Sequence, residues 1–225
     1  MFKSRLRPIV IPQSEHGRLA GTLALLWGNS KFDQPNINPL SLIAGIGLHD
    51  QAHGFLDTNA IGETPEGDFL QLATRAFYMQ SSDRAADLII KFHWKRLVRS
   101  NASADSKALL AEMEVAMQHY SQENNLSIEE FARIDPITDF CDRVAFDFSF
   151  EQPADGMVMI YSKNGSSEQH PLRYSIAEGE VRVSPWPFSV GNYSNYLVGY
   201  TLKDYPSLLD PVIIPYRISE AGPES

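Results

Sequence analysis

Residues 41–53 constrain this chain more than any other stretch. Ser41-Leu42-Ile43-Ala44-Gly45-Ile46-Gly47 is apolar enough for a buried helix, yet it runs directly into Leu48-His49-Asp50-Gln51-Ala52-His53. Two imidazoles and a carboxylate therefore arrive at the end of a core segment. Positions three and four apart share a helix face, so His53 is expected one turn beyond both His49 and Asp50. Groups of this kind are costly to bury without partners. A metal ion is one partner that satisfies all three.

The pattern before and after this stretch predicts a helical bundle. Residues 2–11 alternate weakly around Pro8 and read as an edge strand or extended arm. Ser14 is an expected N-cap for a helix Glu15–Trp27, with Leu19, Leu23, Leu26 and Trp27 as its buried face and Gly28-Asn29 as its stop. Thr64-Pro65 opens a helix running to about Met79, and Ser82 or Asp83 caps the next one, which carries His93 between Ile89 and Leu97. Further helices are expected from about Ser106 to Glu123 and from Asp135-Pro136 onward. Near residue 150 the period changes to that of strands, with Asn164-Gly165 and Glu178-Gly179 as hairpin turns. The expected fold is mainly α: a bundle over residues 1–149 with a small antiparallel β appendage over 150–225.

Totals exclude several function classes. The net charge is −9 with no basic cluster beyond short groups such as Lys95-Arg96 and Arg99, so binding to nucleic acid is not expected. A local pocket can still oppose the overall sign, which leaves a small phosphorylated ligand open. The single cysteine, Cys141, excludes an internal disulfide and suits a reducing compartment. The apolar stretch after Lys3, Arg5 and Arg7 is too short for a signal peptide, and no later run is long enough to span a bilayer. A cytoplasmic chain that avoids membranes is the expectation.

The polar groups expected to point into the bundle are His16, His49, Asp50, His53, His93 and Asp142. His119 and His170 read as surface residues, Cys141 as packing, and Trp186 and Phe188 as anchors of the β part on the bundle or as one wall of a cleft. The order of a histidine, a His-Asp doublet and a late aspartate resembles the HD-domain superfamily of metal-binding helical bundles. More closely, the chain resembles an uncharacterised bacterial HD-like family, the domain of unknown function numbered 3891. The likeness is carried by Glu15-His16-Gly17-Arg18-Leu19-Ala20-Gly21, by Trp27-Gly28-Asn29, by Leu48-His49-Asp50 with Asp57, by Asp83-Arg84-Ala85-Ala86 leading to His93, and by Asp142-Arg143 with Pro185-Trp186-Pro187-Phe188. Gln51-Ala52-His53 departs from it, standing where the family has an acidic residue, a glycine and a tryptophan.

The resemblance implies a divalent metal held by His16, His49, Asp50 and Asp142. Two imidazoles and two carboxylates suit Mn, Fe, Co, Ni or Zn, with Mg also within range. Asp50, His53 and His93 are then the candidates for catalysis, as proton donor, substrate contact or second-metal ligand. Arg18, Arg84 and Lys91 are the candidate phosphate contacts. The implied activity is a metal-dependent phosphohydrolase acting on a nucleotide or another small phosphoester. The alternatives are a non-catalytic metal- or ligand-binding module, acting as sensor or partner subunit, and a helical interaction protein whose histidines are structural.

Overall fold

The structure, a computed structural model, describes residues 1–54, 57–101 and 103–222. Two short strands, β1 (Phe2–Lys3) and β2 (Ile9–Ile11), precede helix α1 (Gln13–Leu26), and a Pro- and Asn-rich loop leads to α2 (Pro39–Gly47). Four further helices follow: α3 (Glu66–Tyr78), α4 (Arg84–Ser100), α5 (Ala104–Glu123) and α6 (Ile128–Ser149). The chain closes with β3 (Ala154–Tyr161), β4 (Gln169–Ala177), β5 (Glu180–Ser184), β6 (Asn192–Thr201) and β7 (Pro211–Glu220).

The sheet overturns the expected fold class. It is a seven-stranded curled half-barrel in the order β1-β2-β6-β7-β5-β4-β3, a major element and not a small appendage to a bundle. It is also mixed, because β5 and β7 run parallel while the other pairs are antiparallel. Its first two strands come from the N-terminus: Ile9 and Val10 pair with Thr201 and Tyr200. Composition cannot reveal such a long-range pairing, since residues 2–11 alone carry only an edge-strand pattern. One core unites both layers, with Leu19, Phe140 and Phe148 from helices in the same cluster as Ile160, Leu172 and Ile218 from strands.

Glu15 and Arg18 show how α1 is fixed to this sheet. Where β2 ends, Glu15 Oε2 accepts from the Val198 backbone N–H at 2.7 Å, and Arg18 donates to the Tyr196 carbonyl. The ion pair between the two side chains thus caps an open strand edge. The Pro185-Trp186-Pro187-Phe188 stretch does the same for the C-terminal end of α1. Gly28 donates to the Pro187 carbonyl, Asn29 donates to those of Trp186 and Phe188, and the Trp27 and Phe188 rings meet edge-on.

Three element boundaries differ from expectation. Ser14 lies inside α1 rather than capping it, and the residue before the helix is Pro12. Helix α6 begins well before Asp135-Pro136: Ser127 Oγ accepts from the Glu130 N–H in a Ser-x-x-Glu start, and Pro136 sits inside the helix. The central helix stops at Gly47, so His49 and Asp50 lie in a turn and Gln51–His53 forms a separate short 3-10 turn. Gly54, at φ 82°, ends that turn in a conformation that favours glycine.

Candidate metal centre

Glycine packing brings the site together. A Cβ added at Gly17 of α1 would stand 2.5 Å from the Gly47 carbonyl oxygen, and one at Gly21 would stand 3.0 Å from the Gly47 Cα. On its other flank α2 meets α4, where a Cβ at Gly45 would come within 2.8 Å of the Ile89 side chain. Helix α2 is therefore held at near backbone contact with α1 and close against α4. That proximity sets His16 of α1 beside the His49-Asp50 turn, while α4 supplies His93 and α6 supplies Asp142. Trp94 braces the turn from below, donating its indole N–H to the His49 carbonyl at 2.8 Å.

The resulting atoms are close enough to share one ion. His16 Nε2 lies 2.9 Å from His49 Nε2, and each is 3.3 Å from Asp142 Oδ1. Asp50 Oδ2 stands 3.5 Å from the first nitrogen and 3.6 Å from the second. Ligands bound about 2.1 Å from a common divalent ion are separated by about 3.0–3.4 Å in octahedral or tetrahedral geometry, so these spacings fit one. Both histidines are wholly buried, and Asp142 is nearly so. The Nδ1–H of His49 donates to the Ile46 carbonyl at 2.6 Å, which fixes the ring and turns its Nε2 to the centre. His16 Nδ1 is buried with no hydrogen-bond partner among the described residues.

His93 plays a different part, set by Arg96. A guanidinium only donates, and Arg96 Nη2 lies 3.1 Å from His93 Nδ1. Nδ1 is then the acceptor, and the proton of the neutral ring sits on Nε2, 3.2 Å from Asp50 Oδ1. This half-buried arginine also pairs with Asp135, with Asp139 at 3.0 Å and with Asp142 Oδ2 at 3.5 Å. The sequence reading passed over Arg96. Its spacing of three from His93, placing both on one helix face, was the signal available.

Charge in the cluster follows from these contacts. Burial pushes the His49 imidazole down, but the Asp50 and Asp142 carboxylates outweigh it and raise its pKa to about 9. For both carboxylates burial opposes ionisation, and His49 together with hydrogen bonds from the neighbouring rings holds each well below the usual carboxylate range. The pocket thus favours positive charge at its centre. Cys141, next to Asp142, is buried and its thiol is pushed up by that burial, which leaves it a packing residue.

The other residues singled out from sequence stand elsewhere. His53 is not part of the cluster: its ring lies 5.9 Å from that of Trp94 and lines a cavity of about 280 Å³ whose floor includes Asp50, His93 and Asp142. Burial lowers the His53 pKa. Arg18 is committed to Glu15 and the Tyr196 carbonyl, and Arg84 to Gln80 and the Ser81 carbonyl. Lys91 is buried on another face of α4, donating to the Phe77 carbonyl between the Phe77 and Tyr120 rings. None of these three lines the cavity.

Comparison with known families decides the chain's place. Residues 3–203 match the family described as "Protein of unknown function (DUF3891)". The chain belongs to this family. No curated protein and no solved structure matches it. The match identifies DUF3891 alone, and a tie to the HD-domain superfamily is not shown by it. All the cluster residues fall within the DUF3891 span, whereas β7 lies beyond it.

Proposed function

We propose that this DUF3891 chain holds a divalent metal ion with His16, His49, Asp50 and Asp142 and hydrolyses a small phosphoester beside it. The observation that carries the reading is the convergence of four donor atoms from α1, α6 and the turn after α2 at spacings of 2.9–3.6 Å, under an open cavity. When bound, a divalent ion supplies hydroxide at neutral pH and neutralises charge on phosphoryl oxygens.

The chain's own groups account for the remaining work. Water adds to phosphorus, the P–O bond to the alcohol breaks, and the departing oxygen takes up a proton. His53, on the cavity wall with its pKa lowered by burial, is the group suited to accept the proton released by the attacking water and return it to the departing oxygen. His93 keeps Asp50 oriented through its Nε2–H, and Arg96 keeps His93 in that tautomer.

The test is metal analysis of protein purified without chelator, followed by phosphatase assays with added Mn or Ni. One bound ion per chain and turnover that a chelator abolishes are the expected results. A bound ion with no turnover of any phosphoester leaves a metal-binding module. Protein that takes up no divalent ion at all overturns the reading.

A further inference from the structure

From the chamber above the cluster we infer the class of substrate: a phosphomonoester of a compact apolar alcohol, best an aromatic one, and not a nucleoside polyphosphate. The inference rests on the hydrolase reading above, and it comes from what lines the approach to the site. Ile61, Phe69, Leu72, Trp94, Leu97 and Phe146 form the walls of the 280 Å³ cavity, while Asp50, His93 and Asp142 lie at its floor. Among the described residues that line it, none is Lys or Arg.

A polyphosphate needs several fixed cations, and the nearby ones are already engaged. Arg96 is surrounded by Asp135, Asp139 and Asp142. Lys91, Arg84 and Arg18 are turned to carbonyls outside the chamber. Beyond His53, Thr64 and Leu72 the chamber opens into an outer groove of about 400 Å³, where Arg75 is accompanied by Asp57 and Asp68. That Arg75 donates to the Ala52 carbonyl at 2.8 Å. Asp68 at the mouth opposes a second anionic group, as does the chain's net charge of −9, while Asp57 is buried against the Met1 ammonium and the Gln13 N–H.

The walls favour a ring. Trp94 lies between His53, at 5.9 Å and 30°, and Phe69, at 6.3 Å and 36°. A flat apolar group entering beside them gains offset aromatic contact in addition to its removal from water. A phenyl ring carrying one phosphoryl group is of a size for the inner chamber, whereas a nucleoside polyphosphate would have to extend its charges past Asp68.

Calorimetric titration of the full chain with phenylphosphonate, methylphosphonate, AMP and ADP, with and without added Mn, tests this independently of turnover. Phenylphosphonate is expected to bind at least tenfold more tightly than methylphosphonate or either nucleotide. Leu72→Trp, which fills the chamber, should cost phenylphosphonate at least tenfold and methylphosphonate much less. A chain that takes up Mn but binds ADP as tightly as phenylphosphonate keeps its metal centre and loses this substrate class. A chain that takes up no Mn yet retains the tenfold aryl preference loses the hydrolase reading and keeps the apolar chamber. Absence of phenylphosphonate binding in both conditions overturns the inference.

Discussion

Helix α4 borders two buried charged clusters that differ in kind. On one side, Asp87 accepts from the Ser81 N–H, the Ser81 hydroxyl and the Tyr120 hydroxyl, with Arg84 at 3.6 Å. Lys91, one turn on, donates to the Phe77 carbonyl between two aromatic rings. Acceptors and donors are matched there, and the cluster is complete by itself. On the other side, the ring nitrogens of His16 and His49 and the carboxylate oxygens of Asp50 and Asp142 meet around one point, where in the metal-free chain the carboxylates hold a proton on His49, with a cavity above. The first arrangement stabilises a fold, because buried charge is tolerated when it is paired and hydrogen-bonded. The second leaves a place for a cation. Burial of charge is therefore not the mark of a functional site; an excess of converging acceptors is.

The contrast is sharpest in a pair of truncations. His49→Ala is expected to remove bound metal, lowering affinity at least a hundredfold, and to abolish the stabilisation that metal confers, which is about 4 kcal/mol at a thousandfold excess over Kd. Asp87→Ala should instead cost about 3–5 kcal/mol in denaturant unfolding, leaving buried donors unpaired, with metal stoichiometry unchanged. Metal analysis and urea melts on both variants measure this directly. Equal metal content in the two proteins would erase the distinction.

Acidity offers the next lever. In the metal-free chain the His49 pKa is raised to about 9 from an unfolded value near 6.5, so its proton stabilises the fold below pH 6.5 and that contribution is lost as pH rises to 9. The loss amounts to ~3 kcal/mol at most. Binding of a cation requires the same nitrogen deprotonated, so metal affinity should change in the opposite direction, rising with pH up to about 9. Melting temperatures of metal-free and Mn-loaded protein across pH 6–9 should therefore diverge. Parallel curves would mean that the ion does not compete with this proton.

A smaller effect is expected from the helix contact that aligns the site. Gly17→Ala places a methyl group against the Gly47 carbonyl oxygen, and such overpacking costs about 1–3 kcal/mol. Because it moves α1 away from α2, it should also weaken metal binding by about tenfold without removing any ligand. Loss of stability alone, with metal affinity intact, would show that the His16–His49 separation is set elsewhere.

How much of this was legible in the chain varies by element. Asp83 was named among the caps of α4, and its Oδ1 indeed accepts from the Ala85 and Ala86 N–H groups. The Glu178-Gly179 turn was also legible: both residues have positive φ, as a tight hairpin requires. His16, His49, Asp50 and Asp142 could be proposed together only as a pattern of residue types, and the folded chain brings them to one point. His53 was misplaced because a spacing of four was read as helical where the chain leaves the helix at Gly47. The sheet was underestimated because β2, which carries β1 with it, gains its partner β6 some 190 residues later, beyond the reach of local periodicity.

The sequence by itself determined the local choices: caps, turns, apolar faces and a supply of imidazoles and carboxylates on segments bound for the interior. Those depend on neighbours within a few positions, which the order of residues states directly. Only the tertiary structure decided which charges meet. Arg18, Arg84 and Lys91 were spent on carbonyls, Arg96 was set against His93, and the walls over the cluster became apolar. Which donor faces which acceptor depends on how helices pack across long stretches of chain, and here glycines thin enough to admit a neighbouring backbone settle that packing.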